Sequence, residues 1–95
     1  MYDTYLFNSK NIKDITSPVN GVIVKYEDNI LHIKMYSMPY IITIEGISSV
    51  VNPGKNITTN TLLGHTSGED NKLKIKIPTA LGDTQVLLQR KLNII

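Results

Sequence analysis

The chain of 95 residues contains no cysteine. Disulfides and thiolate zinc sites are therefore excluded as supports for the fold. This suits an oxidising compartment without requiring one. No stretch approaches the roughly 20 apolar residues that cross a bilayer as a helix. The N-terminus lacks the basic segment and apolar run of a secretory signal, so no leader is expected. Net charge is only +2, too small to argue for a nucleic-acid partner by itself. Histidine is scarce, with only His32 and His65. Catalytic zinc needs three protein ligands, commonly including two histidines, and neither H-x-H nor H-E-x-x-H occurs here. Repeats of solenoid period and low-complexity tracts are absent too.

What remains is a chain with 41% hydrophobic residues, which excludes disorder by composition. Its length sets a single domain over residues 1–95. A domain of this size buries about two-thirds of its unfolded surface, enough for a modest core. Val, Ile, Thr and Tyr recur in short runs broken by Gly, Pro, Asn and Asp, the usage of strands and turns.

The runs predict a short strand within 1–10, a connector over 11–18, and a hairpin from Gly21–Tyr26 and Ile30–Met35. Glu27-Asp28-Asn29 supplies the turn between them. Tyr40–Glu45 is the next strand, ended by Gly46. Ile47–Val51 follows, then a turn at Asn52-Pro53-Gly54 in which Gly54 can take positive φ. Residues 56–60 are mostly polar, Leu62-Leu63-Gly64 begins another strand, and 67–71 reads as a loop. Lys72–Ile77 alternates strictly, with Leu73, Ile75 and Ile77 inward and Lys72, Lys74 and Lys76 outward. The tail over 86–95 fits a short helix or a terminal strand. The fold class is all-β: a small β-sandwich or barrel-sandwich hybrid, with that short C-terminal helix as an optional addition.

Few residues can carry chemistry. His32 and His65 lie on separate strands, and surface or half-buried histidines account for both. No G-x-S-x-G accompanies the serines. The acidic pairs Glu27-Asp28 and Glu69-Asp70 fall in turns, where carboxylates are solvated. No phosphate-binding loop is present. Asn56-Ile57-Thr58 fits a glycosylation sequon, a common triplet. The one patterned charge feature is Lys72, Lys74 and Lys76, about 6–7 Å between successive members on one strand face. Such a row suits an anionic glycan, lipid or protein surface. The plainer readings outweigh that one: a solvated face, or an edge strand guarded by lysine. The strand has no aromatic residue on which bases would stack.

The order of the pieces carries a resemblance. Ser17-Pro18-Val19-Asn20-Gly21-Val22-Ile23 precedes the hairpin. Tyr40-Ile41-Ile42-Thr43-Ile44 and Ile47-Ser48-Ser49-Val50 follow it. Pro53-Gly54-Lys55-Asn56-Ile57, Leu62-Leu63-Gly64 and Lys72-Leu73-Lys74-Ile75-Lys76-Ile77 complete the series. Over about 17–77 this resembles the lysostaphin/LytM-like zinc endopeptidases that cut peptidoglycan cross-links. The chain departs from that family where zinc is held. Lys72 and Lys74 stand where the family has H-x-H, and Gly46 falls near its catalytic histidine. Nothing before Ser17 matches its H-x-x-x-D pair. Ammonium groups there repel a cation. The resemblance therefore implies the fold without the activity: a non-enzyme with no metal or other cofactor. It implies a binding or scaffolding domain of a bacterial periplasm or cell envelope, one that regulates a cell-wall hydrolase or forms part of an envelope assembly, with a protein partner or cell-wall polymer and no nucleic acid. The implied binding surface is Lys72, Lys74, Lys76, Tyr40 and Glu45, edging the vacated groove. The pieces also fit lipoyl/biotinyl-like carriers, which need a modified lysine at a hairpin tip; Lys34-Met35 is similar to the biotin-type Lys-Met pair, with Lys34 the residue modified. That reading lacks the preceding Ala-Met and the flanking glycines.

Overall fold

The computed structural model describes residues 2–8, 14–36, 39–66 and 72–78. These form nine strands: β1 (Tyr2–Asn8), β2 (Ile15–Thr16), β3 (Gly21–Glu27), β4 (Ile30–Met35), β5 (Ile41–Glu45), β6 (Ile47–Ser49), β7 (Asn56–Ile57), β8 (Leu62–Thr66) and β9 (Lys72–Pro78). The described residues are all-β, with two antiparallel sheets. One has the order β1-β9-β5-β4-β3-β7, the other β2-β8-β6. The loop expected at 67–71 and the segment expected as helix or strand over 86–95 lie outside the described residues.

Alternation builds the core. Leu73, Ile75 and Ile77 of β9, Ile42 and Ile44 of β5, and Leu31, Ile33 and Met35 of β4 face inward, each at most 5% exposed. Ile15, Ile47 and Leu63 close over them from the small sheet, and one cluster holds residues of both sheets. Burying an Ile or Leu side chain stabilises by about 1.5–3 kcal/mol, so this cluster is the dominant favourable term.

The β3–β4 hairpin closes through a two-residue turn with positive φ at both Asp28 (54°) and Asn29 (62°). That backbone matches the right-handed twist of the strands, and Asp and Asn tolerate it. Unbroken alternation along β3 would put Gly21, Ile23 and Lys25 on one face. The structure avoids a buried lysine with a bulge. Ile23 pairs Ile33 and Lys25 pairs His32, leaving Val24 as the extra residue, 46% exposed. After the bulge the parity is reversed. Lys25 turns outward, and Tyr26 turns inward to pack on the core.

The small sheet feeds the large one twice by the same device. Ser17 follows β2, and its hydroxyl donates to the Val19 carbonyl (2.6 Å) while accepting from the Val19 N–H (3.2 Å). Ser49 ends β6 and does the same with Val51, at 2.8 and 3.1 Å. The chains then enter β3 and β7, which pair at Gly21↔Ile57 and Val22↔Asn56. Gly54 has φ 93°, as the Asn52–Lys55 turn requires, and the Lys55 N–H donates to the Asn52 carbonyl at 3.2 Å.

Three expectations are corrected. β2 falls in the supposed connector and β7 in the supposed polar stretch. Each is two residues long and carries one fully buried isoleucine, Ile15 or Ile57, too short to show a periodicity. The lysine strand is not an edge. β9 pairs with β1 over its whole length and with β5 from Thr43↔Lys76 to Glu45↔Lys74, so its lysines guard no free ladder.

Candidate functional site

The inward set of β9 leaves Lys74 and Lys76 on the outer face of the six-stranded sheet. Lys72 occupies the next position of the same parity, opposite Asn8. Antiparallel partners share a face. Leu6 therefore stands beside Lys74, and Thr4 beside Lys76, from β1. Glu45 and Thr43 stand beside them from β5. The two strands expected to edge a groove are hydrogen-bonded neighbours. What they share is an exposed face, since adjacent strands lie only about 4.8 Å apart.

The face has two differently charged ends. Near the β3–β4 turn its charges are matched. Lys74 lies 4.0 Å from Glu45, and Lys25 lies 2.9 Å from Glu27. The Lys25 hydrogen bond and charge hold the Glu27 carboxyl below the usual glutamate range, and the Lys25 ammonium rises in return. Lys34 stands at the opposite end, level with Ile41, and Lys76 stands one row nearer the turn, level with Thr43, His32 and Lys25; neither makes an ion pair with a described residue. Lys34 lies opposite Ile41 on one side and Val22 on the other. It thus sits within the ladder, away from the turn at Asp28-Asn29.

Aromatic rings gather at that second end. Tyr2 reaches from β1 across to β5, where its hydroxyl accepts the Ile41 N–H at 3.3 Å. Its ring meets Tyr40 edge-on, with centroids 6.1 Å apart and planes at 86°. The Lys76 ammonium lies 5.6 Å from the Tyr2 ring centroid, within cation–π range. Tyr36 follows Lys34 on the same parity, is 59% exposed, and its hydroxyl donates to the Asn56 side-chain oxygen. Tyr36 also lines a shallow cavity of about 260 Å³ with Val19, Asn20 and Met35.

Of the expected site residues, the structure brings together Tyr40 and Lys76 through Tyr2, and Lys74 with Glu45. Tyr2 itself was missed. No local signal marks it, since Tyr2-Asp3-Thr4-Tyr5-Leu6-Phe7 does not alternate, and its place depends on β1 pairing with β9 from the far end of the chain. The absence of aromatics from the lysine strand is made good by the neighbouring strands.

The outer face of the small sheet carries a second grouping. His65 Nδ1 lies 3.1 Å from Asp14 Oδ1, and Ser48 lies opposite His65 in the β6–β8 ladder. The imidazole and carboxylate are 51% and 62% exposed. A pair so wet is screened, whereas acid–base catalysis draws on such a pair where water is excluded. Its evident effect is to tie the chain before β2 to β8. Among the described residues no three His, Cys, Asp or Glu side chains converge on a common point. No helix among them is long and apolar enough to cross a membrane.

Comparison with family models, with curated proteins and with solved structures returns no match.

Proposed function

We propose that the protein is a non-catalytic, LytM-like binding module that docks a protein partner or cell-wall polymer of a bacterial envelope through the outer face of β9 and β5. The observation that carries this reading is the pair of exposed lysines on β9, Lys74 and Lys76, flanked by tyrosines from neighbouring strands. Positive charge over a flat face favours an anionic surface, and rigid tyrosines add contact area at low entropic cost. Lysines at the positions where the resembled hydrolases coordinate zinc argue in the same direction, because they oppose a bound cation.

The test is co-sedimentation with purified peptidoglycan sacculi and capture from envelope extracts, with and without zinc. Wild-type protein is expected to bind and to release no peptide fragments. The double variant Lys72→Glu/Lys74→Glu is expected to lose binding while keeping its thermal melt. Undiminished binding by that variant removes the surface from the proposal. Zinc-dependent release of fragments removes the non-catalytic reading.

A further inference from the structure

We propose that the tyrosine-rich end of this face, bearing Tyr2, Lys34, Tyr36, Tyr40, Ile41 and Lys76, is a docking site for an acidic protein segment with an apolar side chain between its carboxylates. The inference rests on the binding-module reading and names the occupant of its site.

Charge is the first argument. Lys25, Lys34, Lys74 and Lys76 are exposed on the outer face of the large sheet. Lys25 and Lys74 are each neutralised by a glutamate, at 2.9 and 4.0 Å. Lys34 and Lys76 have no ion-pair partner among the described residues, and they occupy neighbouring outward rows, the Lys76 ammonium approaching the Tyr2 ring of the end row. They stand on β4 and β9 with β5 between them and one outward position apart along the strands, so spacing and rise together separate them by about 12 Å. An extended segment presents residues four apart on one face about 13 Å apart, with the residue midway between them on that same face.

The surface between them suits a protein side chain. Ile41, opposite Lys34, is 40% exposed, and Tyr2 is 36% exposed. Tyr2 is held by the Ile41 N–H, the edge of Tyr40 and the Lys76 ammonium. A tyrosine fixed in this way loses little freedom on binding, which is where interface energy concentrates. Beside Tyr36, the cavity shared with Val19 and Met35 accepts an apolar group of modest size. Nucleic acid fits less well. Rings at 86° give successive bases no parallel surfaces to stack on, and two free lysines neutralise few phosphates.

The experiment pans the full-length chain against a phage-displayed random dodecapeptide library, then measures the best synthetic peptide by fluorescence anisotropy. Enriched peptides are expected to carry Asp or Glu on both sides of an aliphatic or aromatic residue. Lys34→Glu/Lys76→Glu should weaken the peptide by roughly tenfold or more, and affinity should fall with added salt. Tyr2→Ala should weaken it too, and Lys25→Glu should not. Lys34→Gln/Lys76→Gln serves if charge reversal impairs folding, with the melt of each variant as control. Three outcomes overturn the proposal: no enrichment of acidic peptides, affinity indifferent to Lys34 and Lys76, or binding of acidic oligosaccharides in preference to every peptide. Each leaves sacculus binding untouched, whereas zinc-dependent hydrolysis removes the binding-module reading and leaves the peptide result standing.

Discussion

At the scale of single residues, several side chains act through one bond or one gap. The Tyr26 hydroxyl donates to the Ile47 carbonyl at 2.8 Å and so joins the two sheets. Tyr26→Phe keeps the ring and deletes that bond, and it should cost about 1 kcal/mol in a denaturant melt. Gly64 has a different constraint. A Cβ there would strike the Ser48 carbonyl oxygen across the β6–β8 ladder, and the contact is with backbone that cannot rotate away. Gly64→Ala should lower stability by about 1–3 kcal/mol, the usual cost of overpacking. The Lys25–Glu27 pair contributes whatever it does only while both groups are charged. Glu27's pKa is lowered, so its contribution is present above the ordinary glutamate pKa and lost as pH falls through the lowered value. Lys25's pKa is raised, so its contribution is present below the ordinary lysine pKa and lost as pH rises through the raised value. Both side chains are more than half exposed, so the effect is small. Lys25→Met should melt close to wild type near neutrality, with any difference vanishing in acid.

At the scale of elements, β9 separates inward from outward more sharply than any other strand. Leu73 and Ile75 are fully buried, while Lys74 and Lys76 are exposed. Ile75→Ala should destabilise by about 2–5 kcal/mol through lost burial and a cavity. Lys76→Ala should stay within about 0.5 kcal/mol. Calorimetry or urea titration of the two variants tests whether β9 has this orientation, and comparable losses in both would reject it. The alternation of β9 was legible in the residues, because a period of two is visible in one strand. The parity of β3 was not. Gly21-Val22-Ile23-Val24-Lys25-Tyr26 reads as a smooth strand, yet the bulge at Val24 reverses its second half. The reversal follows from the partner, since Leu31 and Ile33 face inward on β4 and a lysine opposite them would be buried without a counter-charge.

At the scale of the whole molecule, the first strand pairs with the last described one, from Tyr2↔Pro78 to Asn8↔Lys72. That closure assembles the candidate site, because Tyr2 meets Lys76 and Tyr40 only once both ends of the chain are in place. It also sets the folding rate. Pairings of high sequence separation spend loop entropy before they are rewarded, so refolding is expected in milliseconds to seconds. Stopped-flow fluorescence of the tyrosines measures it, and microsecond refolding would contradict this topology.

By themselves, the residues determined that the chain is β, where its hairpin turns, and which side of β9 faces the core. Each of these is written in neighbours a few positions apart, through pleat alternation or through Asp and Asn accepting positive φ. Only the tertiary structure decided that β9 lies inside the sheet, that Ile15 and Ile57 belong to short strands, and that Tyr2 and Tyr40 flank the lysines. Those facts depend on which strand lies beside which. Hydrogen bonding and burial between distant segments settle that choice, and no local period records it.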